Sequence, residues 1–541
     1  MKTRWELGLW RLLALWALGT WCVAAQAAGG YRIAGKVVNA VTGDPVPRAS
    51  VAVLSEEDSH TIESVECDGE GQFALDGLPA AKYQLTASKR GYRTGYFNEH
   101  EEFSTAIVTG EGQDTGALVF RLMPAAVLHG VVNGDGGEPV EGAYVMLFEK
   151  PNGHRPHERI AEADAATTDD TGGYEFDNLA PGEYLVAVRA EPWYAVHRAA
   201  SKMRGLNDPS TALDVAFPVT YYDSTTDEGS ATAIVLAGGS REEANINLHA
   251  APALHLLVPI PAGENRPELR QSVLGIALPT GSVGLIAGSP PAGMAEYDGV
   301  APGRYEMTLT DPARVVTVDA STSQQVDPNQ GTPMVKVSGV VRTAAGVPLP
   351  YDVTVTLDWL SGAHPQEQIR TVTRNGAFGF TAAAPSDWSL QAAATSSVAD
   401  KTLSVLQVGA GSRVKAGNLV QVGERTPALV VTVSEGATKV KGFVKKGGKG
   451  LAGAMVVLAP KDLMAMDGLS RRDQSDSDGS FSLQDVAPGQ YTLVAIENGW
   501  DLDWGSPDVI RRYLPGGTAV TVTDGSGKEV HLSDPVAVQE R

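Results

Sequence analysis

Asp68-Gly-Glu-Gly-Gln-Phe73-Ala-Leu-Asp-Gly-Leu78-Pro-Ala-Ala-Lys-Tyr83 decides the fold, because the chain repeats it. It returns as Asp169-Asp-Thr-Gly-Gly-Tyr174-Glu-Phe-Asp-Asn-Leu179-Ala-Pro-Gly-Glu-Tyr184 and as Asp476-Ser-Asp-Gly-Ser-Phe481-Ser-Leu-Gln-Asp-Val486-Ala-Pro-Gly-Gln-Tyr491. In each copy a Tyr follows the first aromatic by ten residues, with an aliphatic residue five before it. Gly/Asp turns alternating with short period-2 apolar runs read as turn, strand, turn, strand. A unit that recurs along a chain reads as an array of small all-β modules.

Working outward, each full module opens with Gly-x-Val: Gly35-Lys-Val37, Gly130-Val-Val132, Gly339-Val-Val341 and Gly442-Phe-Val444. The opening Gly precedes the signature aromatic by 38 to 44 residues in all four. A Gly/Pro turn follows, as in Thr42-Gly-Asp-Pro-Val-Pro47, and then an alternating strand such as Ala49-Ser-Val-Ala-Val53 or Val353-Thr-Val-Thr-Leu357. Alternation with β-branched residues predicts antiparallel strands with one buried face. The fourth module has diverged: Phe378 and Phe380 remain, but Trp388 stands where the closing Tyr belongs. Between modules two and four only Tyr297-Asp-Gly-Val300-Ala-Pro-Gly-Arg-Tyr305 survives, which reads as a degenerate copy. The expected organisation is a leader at 1–27, sandwiches at 30–124, 125–252, 335–435 and 436–537, a degenerate β module at 253–320, and a Ser/Gln/Asp/Pro-rich linker at 321–334.

Residues 1–27 read as a cleaved signal peptide: Lys2 and Arg4, an apolar run from Leu12 to Ala25, then Ala25-Gln26-Ala27. Cleavage takes the net charge from −21 to −23, since the leader carries three basic residues and one acid. An acidic surface repels phosphate, which argues against nucleic acid and anionic membranes as partners. With Cys22 removed, Cys67 stands alone, so each module must cohere through its own core rather than a disulfide. No second apolar span follows residue 30, so stable membrane insertion is not expected. The expected location is the periplasm, the outer-membrane surface or the extracellular space, with a monomer as the working state.

The opening Gly-x-Val, the Pro-rich turn and the Asp-x-x-Gly-x-Phe/Tyr…Leu-x-Pro-Gly-x-Tyr signature resemble the carboxypeptidase regulatory-like domain family. The resemblance covers about three quarters of the mature chain and is of the exported, multi-module bacterial type. It implies a tandem array of seven-stranded, prealbumin-like (Ig-like) β-sandwiches, related to carbohydrate-binding-like folds. It implies a non-catalytic module and no peptidase activity.

The residues themselves offer little chemistry. His60-Thr-Ile-Glu63 and His364-Pro-Gln-Glu367 match the His-x-x-Glu half of a zinc carboxypeptidase site. Ten His in 541 residues make about one such match by chance, and no α/β domain is left unassigned. Asp476, Asp478 and Asp485 approach the spacing of a calcium loop, but Gln474 stands in the first ligand position and turn-capping carboxylates explain them better. Ala87, Val188 and Ala495 stand where a pilin-type Lys–Asn crosslink needs a Glu. No catalytic residue, metal or cofactor is therefore expected. The positive signal is aromatic: Trp193-Tyr194, Tyr221-Tyr222 and Trp500…Trp504 fall in insertions outside the predicted strands. Trp500, Trp504 and Tyr513, with Asp501 and Asp503, form the candidate glycan-binding set, because rings stack on sugar C–H faces while carboxylates accept hydroxyl hydrogen bonds. The opposing reading is a hydrophobic plug. The sequence thus predicts a non-enzymatic binding or scaffold element at the cell envelope, its partner a polysaccharide or an envelope protein.

Overall fold

The computed structural model describes residues 30–151, 159–197, 213–260, 266–280, 293–310, 313–360, 368–395, 401–436, 438–523 and 529–541. The expected leader and His364–Glu367 lie outside them.

The chain folds as successive two-sheet β-sandwiches. In the first, Tyr31–Asn39 lies between Gln72–Leu78, antiparallel to it, and Leu118–Leu122, parallel to it. The facing sheet runs Thr61–Glu66, Ser50–Ser55, Lys82–Ser88, Gly95–Tyr96. Alternation along Lys82–Ser88 turns Tyr83, Leu85 and Ala87 inward, where they meet Ile33, Phe73 and Phe120. The same connectivity recurs around Ala126–Asn133, Val335–Thr343 and Thr438–Lys446. Each sandwich has a core of its own, centred on the signature residues Tyr174 and Tyr184, Tyr297 and Tyr305, Phe378 and Trp388, or Phe481 and Tyr491.

Two recurring residues now have physical reasons. A Cβ on Gly35 would lie 2.1 Å from the Leu118 carbonyl oxygen, and one on Gly130 2.0 Å from that of Ala244. Only Gly lets the parallel closing strand come this close. The closing Tyr spans its own turn: the hydroxyls of Tyr83, Tyr184, Tyr305 and Tyr491 donate to the carbonyls of Pro79, Ala180, Ala301 and Ala487 at 2.8–3.1 Å. Each donor is four residues after its acceptor, which satisfies a carbonyl that the turn would otherwise bury unpaired. Trp388 keeps the bond with a different donor, its indole Nε1–H reaching the Ala384 carbonyl at 3.0 Å.

The expected linker at 321–334 is corrected. Gln324–Gln325 pairs in parallel with Leu254–Pro259, Thr332–Pro333 pairs with Ala313–Ala320, and Val326 enters the third core. Polar composition misled because these strands are two residues long, too short to show alternation. Nor is the third unit a remnant, since two sheets enclose its core. In the last module Val536–Glu540 pairs with both Thr438–Lys446 and Gly489–Glu497 and so joins the two sheets, three residues past the expected boundary. The described α-helices, Met466–Leu469 and Pro507–Ile510, are single turns.

The modules close into a circuit. Met146, Phe148, Leu185 and Tyr221 of the second pack on Val273 and Leu274 of the third. Val315 joins the core of the fourth, and Leu406 and Ala416 of the fourth pack on the core of the fifth. The fifth then returns to the first, through contacts between residues about 370 positions apart. The tandem array is thus closed on itself.

Cys67 is buried, and desolvation pushes its thiol up to about 11. The nucleophilic thiolate is thus scarce at neutral pH. Reducing agent is expected to leave the melting temperature of the purified chain unchanged, as scanning calorimetry with and without a phosphine reductant would show. A drop of several degrees would instead require an intermolecular bridge.

Candidate functional site

The five candidate glycan-binding residues do not form an open platform. Trp500 is only 7% exposed and sits among Met455, Val457, Val494, Ile496 and Ile510. Its Nε1–H donates to the Gly453 carbonyl at 3.0 Å. One face of the ring is covered by His100 of the first module, stacked at 4.9 Å and 9°. Phe103 covers more of it at 5.7 Å. Trp504 and Tyr513 are half-buried against the same cluster. Asp501 pairs with Arg541 at 2.8 Å, and Asp503 is exposed. The expectation of free ring faces is corrected: covering these apolar rings removes them from water, and the first module supplies the cover.

This seam between first and last modules is the most highly organised polar site in the described molecule. At its centre Arg472, whose side chain is 4% exposed, donates to both carboxylate oxygens of Glu101 at 3.1 and 2.6 Å. The guanidinium plane also lies 4.2 Å from the Trp504 centroid, 4.9 Å from Phe103 and 5.5 Å from Trp500. Fork-to-fork pairing and aromatic stacking are the two contacts at which arginine exceeds lysine. Beside it the Gln474 amide donates to the Asn98 carbonyl at 2.6 Å and the Thr105 hydroxyl at 2.8 Å. Its oxygen meets His100 Nδ1 at 3.0 Å. Asn98 and Glu101 take positive φ, 51° and 55°, which folds the first-module loop tightly enough to present His100 and Phe103 together.

The signature turn contributes too. In the first two modules Asp68 and Asp169 cap their own turns, accepting from the backbone N–H of Gln72 and Gly173. In the last, Asp478 takes that role toward Ser480. Asp476 is thereby free to face the first module, accepting from Lys82 Nζ at 2.6 Å and from the Ala106 N–H at 3.1 Å. Burial lifts the Asp476 carboxyl while Lys82 pulls it back; burial lowers Lys82, but Asp476 outweighs that and leaves it raised. The Asp473 carboxyl is pushed up to about 7, chiefly by burial, despite hydrogen bonds from the Ser482 and Gln474 N–H groups. A cleft of about 1080 Å³ opens alongside, walled by Glu56, Lys82, Phe103, Lys441, Phe443 and Asp478.

The sequence signals missed here were chemical rather than periodic. Arg471-Arg472 is a basic pair in an acidic chain, and Gln474-Ser475-Asp476 is polar but fully buried. A buried polar run needs partners, and those of the Gln474 side chain all come from the first module.

As for metals, His60 is exposed beside Asp58, and no third ligand type converges on it among the described residues. Asp476, Asp478 and Asp485 do not converge as a calcium loop, since the first faces Lys82 and the second its own turn. Asp214, His255 and Asp298 lie close together, but the two carboxylates occupy opposite ring nitrogens of His255. The in-plane lone pairs of an imidazole diverge, so one ion cannot take all three. The donors do not fit a metal.

Two stretches, residues 32–122 and 127–216, match the family model of the carboxypeptidase regulatory-like domain. Together the two matches span about a third of the chain. No curated protein matches it. Among solved structures it is similar to the Bacillus anthracis TIE protein, at 9% identity and a TM-score of 0.15, over 91% of this chain and 68% of that one. It is also similar to the minor pilin GBS52 of Streptococcus agalactiae, at 15% identity and a TM-score of 0.20, over 44% of this chain and 100% of that one. The shaft pilin SpaA of Lactobacillus rhamnosus GG aligns at 10% identity and a TM-score of 0.20, over 41% and 96%.

Proposed function

We propose that this chain is an exported, non-enzymatic scaffold of the cell envelope, whose β-sandwich modules are clamped into one body of fixed shape. The observation that carries the reading is the seam. Paired ionic and aromatic contacts between residues about 370 to 400 positions apart hold the two ends together, and a flexible spacer has no use for them. The leader-like start supports export. Small-angle scattering tests the shape. Five ~100-residue modules of radius of gyration ~13 Å, spaced ~28 Å apart, give about 27 Å when closed and about 42 Å in line. A value near the second would remove the basis for a fixed-shape scaffold.

Polysaccharide binding remains a second reading, favoured by one ring. Trp193, 84% exposed and edge-on to Tyr194 at 5.7 Å, offers the open face that Trp500 does not. Titrating the same preparation with polysaccharides should quench Trp193 fluorescence under this reading. Binding retained in Trp193→Ala would exclude that ring as the site.

A further inference from the structure

Between the second and third modules five ionisable side chains form one alternating chain. Glu191 Oε1 faces His197 Nε2 at 3.1 Å, and His197 Nδ1 faces Asp214 Oδ1 at 3.0 Å. The other Asp214 oxygen faces His255 Nε2 at 3.0 Å, and His255 Nδ1 faces Asp298 Oδ1 at 2.5 Å. Glu191, His197 and Asp214 belong to the insertion of the second module, His255 and Asp298 to the facing strands Leu254–Pro259 and Met294–Val300 of the third.

Every ring nitrogen thus faces an oxygen that accepts only, so both imidazoles fit the site as doubly protonated cations. Three carboxylates and two imidazolium ions leave a net charge of −1, whereas neutral rings would leave −3 in a site where the His197 side chain is 4% exposed. The fit is steric as well: a Cβ on Gly299, which has φ +72°, would lie 2.7 Å from the His197 ring. The third module keeps a bare backbone where the second module's imidazole lands. Arg189 and Tyr305 line the small cavity beside Gly299, and Arg189 is spent on the Pro279 carbonyl.

We propose that this chain is a proton-operated joint, in which the His255 imidazolium of the third module binds Asp214 of the second and its loss of a proton releases it. The hydrogen bonds to Glu191 and Asp214 push His197 up to about 9 against the opposing effect of burial. His255 is raised chiefly by Asp298. A group held more tightly when folded stabilises fully below its free pKa and stops doing so above its folded one. The joint is therefore closed at pH values below that of a free imidazole and opens as pH rises through the raised pKa of His255.

Hydrogen–deuterium exchange on the full chain, corrected for intrinsic rates, reads the joint at Leu254–Pro259 and at the Val215–Ala216 pairing with Ala251–Pro252. The wild type should exchange there faster at pH 10 than at pH 7, as follows from losing a proton held above the free ring's pKa. His255→Gln should already exchange fast at pH 7, with a flat profile. Gly299→Ala displaces the His197 ring without changing any charge, and should give the same result if His255→Gln does not fold. A flat wild-type profile, or variants that follow the wild type across the range, overturns the proposal. So does saturable one-to-one zinc protection reversed by chelator, which would mean a metal rather than protons.

Discussion

Trp388→Ala will lose about 3–5 kcal/mol of stability in the fourth module, the usual cost of emptying a fully buried aromatic site. Trp388 is 0% exposed and meets Trp359 edge-on at 5.0 Å and 85°. Its indole N–H also satisfies the Ala384 carbonyl at 3.0 Å. The substitution therefore opens a cavity, removes an aromatic pair and orphans a buried acceptor. Two controls separate these losses. Trp388→Phe keeps most of the volume and removes the donor, so it should cost about 1–3 kcal/mol for the unpaired carbonyl. Trp388→Tyr restores the donor type of the sister modules and should cost less than Phe, its hydroxyl reaching the same carbonyl. Urea unfolding followed by far-UV dichroism would rank the three. If Phe and Tyr prove equal, the carbonyl bond is not what keeps an aromatic donor at this position.

That ranking also shows why the fold was legible from the sequence. The opening Gly, the signature aromatic and the closing Tyr or Trp all act within one module. Their spacing is therefore written locally, and Trp388 is recognisable as a replaced Tyr because the turn it spans is unchanged. The short strands of the third module were not legible. Gln324–Gln325 gains its place from Leu254–Pro259, 68 residues earlier, not from any pattern of its own. The candidate site failed for a related reason. Trp500 and Trp504 do fall outside the sandwich strands, as their positions implied, but whether a ring outside a core is free depends on what the rest of the chain lays over it. His100 and Phe103 are four hundred residues away in sequence, and no periodicity reports such a neighbour. What the sequence did carry was a mismatch of polarity, Arg472 and Gln474 buried in a strand that cannot satisfy them alone.

Arg472 is where that mismatch has its largest consequence. Arg472→Ala is expected to weaken the closure of the first module on the last by about 3–5 kcal/mol, the range for breaking one partner out of a buried ion pair. The Glu101 carboxylate would lose both guanidinium bonds, and the faces of Phe103 and Trp504 would lose the cation between them. Arg472→Lys should recover little, because an ammonium cannot pair in a fork or lie flat between rings. Arg472→Met with Glu101→Gln, which removes both charges and keeps bulk, should recover much more, since the penalty comes largely from the stranded charge. Three readouts should move together in Arg472→Ala. The radius of gyration should rise from the closed value toward that of the open line, and Trp500 emission should shift red as His100 leaves its face. The unfolding of the last module's own core, around Phe481 and Tyr491, should change far less. If the variant stays compact with unshifted emission, the seam is held by its apolar rings alone and the buried ion pair contributes specificity rather than closure. If the last module unfolds with it, the seam is part of that module's core, and the ends of the chain are not a separable clamp.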